Sequence, residues 1–276
     1  MKRILVPTDF SEQAENALKV AAQLAKKNDG EIFLLHMLEL PLALIDPTNG
    51  SQSRDLPESI FFMKLAHQKF ENMMSQPYLN GLKVHETVHF HEAFEGIMEV
   101  SQEHNCDLIV MGSHGASGLK EMFIGSNTEK VVRTSEIPVL VIKNEIPDFR
   151  IDHFIYATDF SEENRDAFNQ AIAFAEKLEA KIHLLYVNTA NNFISTDEIE
   201  ERMDNFIANS DSPNFSLNIY NATSVEKGIL GFTKNLPNSL MAISTHGRKG
   251  LSHFFNGSIS EDLVNHANGP VITFKI

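Results

Sequence analysis

The sequence predicts an α/β protein built from two similar doubly wound domains, each a parallel sheet with helices on both faces. Three observations lead to this prediction. Short apolar runs rich in β-branched residues alternate with amphipathic segments of helical spacing. The chain has 276 residues, which is enough for two compact domains. Two motifs also occur twice, in the same order, at a spacing that is much too long for a solenoid repeat.

The repeated motifs indicate that one domain was duplicated. A Thr-Asp-Phe-Ser-Glu segment occupies residues 8–12 and again residues 158–162. A His-Gly pair at residues 114–115 and 246–247 is followed each time by Gly-Ser, ten residues after the glycine. The two motifs are offset by 150 and 132 residues, so the first copy has 18 more residues between them. We therefore expect a longer loop in the first copy, over residues 40–58, where prolines accumulate.

In the first copy five strands are predicted, and short continuous apolar runs such as Ile4-Leu5-Val6 suit strands that are buried on both faces. The strands are predicted near residues 4–6, 32–35, 82–89, 108–111 and 139–142. The first helix is predicted from small and apolar residues at helical spacing, namely Ala14, Ala17, Leu18, Ala21, Ala22 and Ala25. The pattern Asp9-x-x-Glu12 predicts a capping box at its start. Further helices are predicted near residues 59–75, 94–104 and 128–134.

The second copy gives the same order of elements. Its strands are predicted near residues 154–156, 182–185, 215–220, 240–243 and 271–274. Strands that alternate with helices form right-handed crossovers and therefore a parallel sheet. In such sheets, ligands bind outside the carboxyl ends of the strands. The repeated motifs lie at those ends, so we expect the functional residues there.

The motifs of the first copy predict a site for a nucleotide. Asp9 follows the first strand and Gly112 opens the segment after the fourth, so they meet if these strands are neighbours. Gly112 and Gly115 would let a ligand approach backbone N–H groups. Gly125 and Ser126 precede the last helix, whose N-terminus favours phosphate. Two simpler interpretations stay open: Asp9 and Ser126 as ordinary helix N-caps, and the glycines as turn formers.

Charge and composition exclude several classes of function. The formal net charge is −14, and the chain has 13 basic and 20 acidic side chains before Pro147 and 10 and 17 from there on, so each half carries −7. This uniform acidity argues against nucleic-acid and anionic-membrane partners. No GxxxxGK[ST] segment is present, and no GxGxxG follows the first strand. The apolar runs are too short for a signal peptide or a membrane span, which favours a cytoplasmic protein.

With these motifs the sequence resembles the universal stress protein family. The resemblance rests on four segments: Pro7 to Ser11, Leu35 to Met37, Val110 through Gly115 to Ser126, and Pro138 to Val141. It extends over nearly the whole chain as a tandem pair, with one domain at residues 1–146 and a second, with a degenerate glycine motif, at residues 150–276. It implies a five-stranded parallel sheet of order 3-2-1-4-5 in each domain. It also implies domain pairing through the fifth strands, here as an intrachain pseudo-dimer, with a homodimer as a further state.

The resemblance further implies that ATP, or ADP or AMP, binds in the first domain. The contacts to base and ribose would fall on Pro7, Thr8, Asp9 and Met37. The residues flanking ribose and phosphates would be Met111, Gly112, His114 and Gly115. The phosphate tail would be held by Gly125, Ser126, Asn127 and Thr128. If a divalent ion accompanies the nucleotide, Mg²⁺ or Mn²⁺ bridging its phosphates is expected, because these ions prefer oxygen ligands.

The second copy departs from this pattern, which leaves its occupancy open. Its corresponding contacts would be Asp159, Val187, Ser244, Gly247, Gly257 and Ser258. Ser244 stands where the first copy has Gly112, and Ile259 stands where it has Asn127. A side chain at Ser244 would obstruct a ligand if the position needs positive φ or direct contact.

Two residue groups suggest other chemistry. His85, His89 and His91 fall on one face of a predicted strand, with Glu92 beside them, so a zinc site is conceivable. A solvated strand end rich in histidine is the commoner structure, and we predict no protein-bound metal. Cys106 is the single cysteine. It is predicted to be a buried thiol, because no second cysteine exists to pair with it.

The leading functional hypothesis is a cytoplasmic stress-response protein that binds ATP and acts as a nucleotide-dependent binding or regulatory module. The alternatives are a weak ATPase or other nucleotide hydrolase, and a structural pseudo-dimer whose two pockets are vestigial. Phosphoryl transfer needs neutralising cations and an oriented nucleophile. The first copy offers Lys120, His114 and Asp9, but the sequence does not assemble them into a set, so turnover is not indicated.

Overall fold

The computed structural model describes residues 1–38, 56–90, 93–114, 125–208, 215–245 and 258–276, without the side chains of 56–59 and 258–261. The first half contains, in chain order, β1 (Arg3–Pro7), α1 (Glu12–Asn28), β2 (Glu31–Met37), α2 (Leu56–Met74), β3 (Lys83–His89), α3 (Ala93–Glu103), β4 (Leu108–Gly112), α4 (Ser126–Thr134) and β5 (Val139–Ile142). The second half contains β6 (His153–Ala157), α5 (Arg165–Leu178), β7 (Lys181–Thr189), α6 (Thr196–Ile207), β8 (Phe215–Ala222), α7 (Val225–Thr233), β9 (Ser239–Thr245), α8 (Ser258–His266) and β10 (Val271–Lys275).

The ten strands form one sheet in the order β3-β2-β1-β4-β5-β10-β9-β6-β7-β8. Within each half the strands are parallel and follow the order 3-2-1-4-5, as the resemblance implied. The two halves meet where β5 and β10 pair antiparallel, with Val141 opposite Val271 and Val139 opposite Thr273. This is the intrachain pairing through fifth strands that was expected. A homodimer stays a prediction.

Two layers of core cover the faces of this sheet. Successive strand residues point to opposite faces, so Ile4 and Val6 pack with α1 in one layer while Leu5 belongs to the other. The layer that contains Ile4 also holds Tyr156 from the second half. Both layers thus run through both halves of the chain. The division into domains at residues 146 and 150 stays a prediction.

The connection between the halves is bound to α1. Gln23 donates a hydrogen bond to the Ile146 carbonyl at 3.3 Å and accepts one from the Phe149 backbone N–H at 2.7 Å. Lys19 pairs with Glu145 at 2.7 Å. Because these contacts hold the connecting segment against a helix of the first half, it does not behave as a free linker.

The second helix begins earlier than its pattern predicts. The sequence suggests a start near residue 59, whereas α2 starts at Leu56 and includes Pro57 in its first turn. Proline is compatible with the first turn of a helix, because the N–H that it lacks has no partner there. The predicted long loop of the first copy therefore ends before Leu56, and the rest of it lies outside the described residues.

A buried histidine in the second half makes stability depend on pH. His183 on β7 is 6% exposed, and its Nε2 lies 3.0 Å from His153 Nδ1 on β6, while its Nδ1 lies 3.0 Å from Ser216 Oγ on β8. Burial, with a smaller contribution from the nearby charges of His153 and Lys181, lowers the pKa of His183 to about 4. In the unfolded chain the pKa is about 6.5.

We expect acid to destabilise the protein through this residue. The unfolded chain binds more protons than the folded one between about pH 4 and pH 6.5, so this part of the stability is complete above pH 6.5 and declines as the pH falls towards 4. From pH 7 to pH 5 the free energy of unfolding should fall by about 1–2 kcal/mol on this account. Urea unfolding at pH 7 and at pH 5 measures this change in the free energy of unfolding. His183→Phe, the residue at the corresponding position 33, should show a smaller decline, and an equal one would refute the assignment.

Candidate functional site

The Thr-Asp-Phe-Ser motif forms a tight turn between β1 and α1. Thr8 Oγ1 accepts a hydrogen bond from the Phe10 N–H at 3.0 Å, and Asp9 Oδ1 accepts one from the Ser11 N–H at 3.0 Å. Phe10 adopts a left-handed backbone conformation with φ 64°. The second copy repeats these bonds at Thr158 and Asp159. The motif therefore shapes this turn in both halves, whether or not a ligand is bound there.

The predicted capping box at Asp9 is wrong. The N-cap of α1 is Ser11, whose side chain accepts a hydrogen bond from the Ala14 N–H at 3.3 Å. Asp9 lies two residues before this N-cap, and its carboxylate accepts a hydrogen bond from the Ser11 N–H instead. The alternative that Asp9 is merely a helix cap is thereby excluded.

Packing of Phe10 holds the turn at the carboxyl edge of the sheet. Its ring centroid lies 4.5 Å from that of His36 and 5.2 Å from that of Phe70. His36 Nδ1 donates to the Thr8 carbonyl at 2.8 Å. Burial lowers the pKa of His36, although the bond to Thr8 and the charge of Asp9 partly oppose that effect. These contacts offset the left-handed strain at Phe10 and fix the backbone of Thr8 and Asp9.

The carboxyl end of β4 lies directly against the first turn of α1. A Cβ atom at Gly112 would be 2.9 Å from the Gln13 carbonyl carbon and 3.0 Å from its oxygen. The sequence suggested that this glycine makes room for a ligand. Its tightest neighbour is the protein's own backbone, so close packing of β4 and α1 already requires glycine at this position.

The N-terminus of α4 is joined to the end of β4. Thr128 Oγ1 donates to the Gly112 carbonyl at 3.0 Å, and the Gly125 N–H donates to the Ser113 carbonyl at 2.8 Å. Gly125 is the N-cap, with φ −63° and ψ 144°, and Ser126 is the first residue of the helix. The alternative that Ser126 is an N-cap is therefore wrong. Because glycine has no side chain, Gly125 leaves the first N–H groups of α4 without a side-chain cap.

A cleft of about 370 Å³ lies between the turn after β1 and the start of α4. This volume is in the range of small-molecule sites. The lining residues that the sequence proposed for the first copy are Pro7, Thr8, Asp9, Met37, Met111, Gly112, His114, Gly125, Ser126, Asn127 and Thr128. Gly115 lies outside the described residues. The fold thus brings eleven predicted positions to one cleft, while their role as nucleotide contacts stays a prediction.

Sequence reasoning missed five residues that line the same cleft: Ala14, Leu35, His36, Ala93 and Ile97. It also missed the contact between Gly96 and Met37. A Cβ atom at Gly96 would lie 2.2 Å from Met37 Cε, so this glycine of α3 makes room for a side chain that lines the cleft. Gly228 has the same relation to Val187 in the second half, at 2.3 Å. A glycine inside an apolar helix, present in both copies, was the available signal.

The described wall of the cleft carries little charge. Asp9, His36 and His114 are the ionisable residues among those that line it, and none of the lining residues described is Lys or Arg. Ser113 Oγ lies 2.6 Å from His114 Nδ1, which orients that imidazole. The polar groups that remain for an anion at this wall include backbone N–H groups, the Ser126 hydroxyl and the Asn127 amide, since the Thr128 hydroxyl donates to Gly112.

Comparison with known proteins decides the family. The model of the universal stress protein family matches residues 1–143 and 221–275, which is more than half of the chain. The chain belongs to the universal stress protein family. Universal stress protein MJ0577 of Methanocaldococcus jannaschii is 34% identical to it over 155 residues, an alignment that covers 52% of this chain and 96% of that protein.

Two relatives match the universal stress protein over its whole length. Universal stress protein Slr1230 of Synechocystis is 22% identical, and the alignment covers 100% of both chains. The crystal structure of a universal stress protein from Archaeoglobus fulgidus superposes with a TM-score of 0.67 at 23% identity, and the match covers 99% of this chain and 96% of that one. At this identity the superposition shows that the two chains share the fold.

Only some of the predicted contacts in the second half of this universal stress protein lie within the described residues. Asp159 and Val187, two of its predicted contacts, line a cavity of about 20 Å³ among the described residues. Ser244 is 1% exposed and is hydrogen-bonded within the protein. Ser258 begins α8, but its side chain lies outside the described residues, as do Gly247 and Gly257.

The histidines considered for zinc have carboxylate partners. His85 Nε2 lies 3.0 Å from Glu31, and its ring stacks on Phe33 with centroids 4.8 Å apart. His89 Nε2 lies 3.8 Å from Glu99. His91 and Glu92 lie outside the described residues. Within the described ranges, no three His, Cys, Asp or Glu side chains come together as metal ligands.

Cys106 is a buried free thiol, as expected, and burial raises its pKa to about 12, so it is a poor nucleophile.

Every helix in the described ranges is too short or too polar to cross a lipid bilayer.

Proposed function

We propose that this universal stress protein binds an adenine nucleotide, namely ATP, ADP or AMP, in its N-terminal cleft. In this proposal it acts as a nucleotide-dependent binding or regulatory module of the cytoplasmic stress response. The observation that carries the proposal is the cleft itself, which is open, has a volume of about 370 Å³, and differs in chemistry from one end to the other.

One end of the cleft suits a base and a ribose. Leu35, Met37 and Ile97 supply apolar surface on which a flat base can pack. Asp9 lies at the edge of that surface, and a carboxylate accepts hydrogen bonds from hydroxyl groups such as those of a ribose. The turn that holds Asp9 is fixed by Phe10 and Thr8, so the carboxylate is positioned before any ligand arrives.

The other end suits phosphate. Ser126, Asn127 and Thr128 form the first turn of α4, where backbone N–H groups and the helix dipole favour an anion. Because Gly125 supplies no side-chain cap, these donors are not occupied by their own N-cap residue. No Lys or Arg is present among the described lining residues, so the proposal assigns the phosphate mainly to peptide N–H groups.

A divalent ion would be held mostly by the nucleotide. Asp9 is the single carboxylate among the described residues that line the cleft, which is too few to build a Mg²⁺ site from protein alone. Mg²⁺ or Mn²⁺ bridging the phosphates would neutralise their charge in a protein whose own net charge is −14.

Two measurements test the proposal. Purified protein is denatured, and the supernatant is analysed by mass spectrometry for ATP, ADP and AMP. Protein stripped of nucleotide is then titrated with ATP and with adenosine by calorimetry. We expect saturable binding of ATP and weaker binding of adenosine, which lacks the phosphates. Absence of saturable binding for every adenine nucleotide would overturn the proposal and favour the vestigial pseudo-dimer.

Slow hydrolysis is a second candidate, because His114 lines the cleft with its imidazole oriented by Ser113. An imidazole near the phosphates could take a proton from an attacking water. A phosphate-release assay separates turnover from binding. If hydrolysis occurs through this group, His114→Ala should lower the rate by about 10²-fold or more, with ATP affinity measured in parallel.

A further inference from the structure

We infer that Asn164 and Ser244 close the C-terminal cleft, so that the chain binds a single nucleotide, in its N-terminal cleft. This inference rests on the proposed function. It assigns to Asn164 the role of an internal plug, a residue that occupies with its own amide the place that the other copy leaves open.

Asn164 is completely buried, and both ends of its side chain are bonded within the protein. The amide Nδ2 donates to Asp159 Oδ1 at 2.7 Å and to Ser161 Oγ at 2.8 Å. The amide Oδ1 accepts from Ser244 Oγ at 2.6 Å. A ligand that entered here would have to displace a buried, hydrogen-bonded amide and replace each of these bonds.

The first copy cannot form this network. By the repeat offsets of 150 and 132 residues, Asn164 corresponds to Ala14 and Ser244 to Gly112. Neither alanine nor glycine has a polar side-chain atom. Ala14 and Gly112 both line the open cleft, where the absence of longer side chains leaves space. Asp9, the counterpart of Asp159, therefore lines an open cleft in a copy that has alanine at the position of Asn164.

The backbone around Asn164 differs from the corresponding backbone of the first copy. In the first copy α1 starts at Glu12, and Gly112 packs so closely on Gln13 that no Cβ fits. In the second copy residues Glu162–Asn164 form a 3₁₀ turn and α5 starts only at Arg165. This different first turn accompanies the Cβ of Ser244. The exchange of Gly112 for Ser244 and the later start of α5 therefore occur in the same copy and at the same contact.

The described part of the second site leaves little space. The described residues around Asp159 enclose about 20 Å³, against about 370 Å³ in the first copy. Each of the seven residues lining the small cavity corresponds to one lining the large cleft: Ala157, Thr158, Asp159, Leu185, Tyr186, Val187 and Val225. This described part of the second site, which does not include the counterparts of Gly125 to Thr128, therefore has a volume that holds about one water molecule.

The first test counts nucleotides. Stripped full-length protein is titrated with ATP, and the bound nucleotide per chain is measured by calorimetry and by equilibrium dialysis. We expect one. Two per chain would overturn the plug and leave the proposed function standing. None would overturn the proposed function, and this inference with it. Photolabelling with 8-azido-ATP, followed by peptide mapping, should place the label in residues 1–146.

The second test moves the plug between the copies. Ala14→Asn puts the same amide beside Asp9, and we expect at least a tenfold loss of ATP affinity in a folded protein. Asn164→Ala is the matched variant. Its N-terminal site should bind ATP with an affinity within twofold of that of the unaltered protein. Far-ultraviolet circular dichroism checks the folding of both. If folded Ala14→Asn binds ATP as the unaltered protein does, an asparagine at this position does not close a cleft and the inference is wrong.

Discussion

Replacing Gly125 with valine is expected to lower ATP affinity at least 100-fold, about 3 kcal/mol, without unfolding the protein. Gly125 has φ −63° and ψ 144°, which valine adopts without strain. The branched side chain would instead stand before the first turn of α4, where the phosphate is proposed to lie. Calorimetric titration with ATP measures the loss, and thermal unfolding checks that the melting temperature changes little.

The repeat supplies a matched control for this variant. Gly257 is the counterpart of Gly125 in the second copy. Because the C-terminal cleft is inferred to be closed, Gly257→Val should leave ATP affinity and stoichiometry unchanged. Retained affinity in Gly125→Val would show that the phosphate is not held at the start of α4. Equal losses in both variants would show that the effect is not specific to this cleft.

Gly112→Ala is expected to lower the free energy of unfolding by about 1–3 kcal/mol, because it overpacks a close contact. The added Cβ would lie 2.9 Å from the Gln13 carbonyl carbon, and a backbone atom cannot rotate away as a flexible side chain can. To relieve this close contact, α1 must move relative to β4, and this movement disturbs the core beneath both elements. Urea unfolding at pH 7 measures the change.

Gly269→Ala is the control for that substitution. A Cβ atom at Gly269 would have its nearest neighbours at 3.6 Å, which is ordinary contact distance. Its effect on the free energy of unfolding should stay within about 0.5 kcal/mol. If Gly112→Ala is no more destabilising than Gly269→Ala, the close packing of β4 on α1 does not constrain this position.

The central strands were predictable because they are buried on both faces, whereas the edge strands β3 and β8 are only partly buried. A run such as Ile4-Leu5-Val6 has no polar alternation, and in the structure all three residues are fully buried between two layers of helices. Helix ends were less predictable. The sequence predicts too late a start for α2 because Pro57 is typical of a loop as well as of a first helical turn, and it does not distinguish Asp9 from Ser11 as the N-cap of α1 because Asp and Ser are both good caps.

The cleft was predictable to the extent that its residues follow strand ends. Topology places all carboxyl ends of a parallel sheet at one edge, which is why Asp9, Met37 and Gly112 come together. Asn164 could not be assigned in the same way. Its role depends on a hydrogen bond to Ser244, 80 residues away, and on a changed helix start, and a one-dimensional pattern shows neither. The exchange of Gly112 for Ser244 was visible in the sequence, but its consequence was not.

The measurement that tests the central claim most directly is an amide NMR titration of isotope-labelled protein with ATP and, separately, with adenosine. The proposal predicts that ATP shifts the backbone N–H resonances of Ser126, Asn127 and Thr128 saturably, and that adenosine shifts them much less while still shifting residues near Met37. Resonances of these three amides that stay unchanged at saturating ATP would contradict the claim that backbone N–H groups at the start of α4 bind the phosphates.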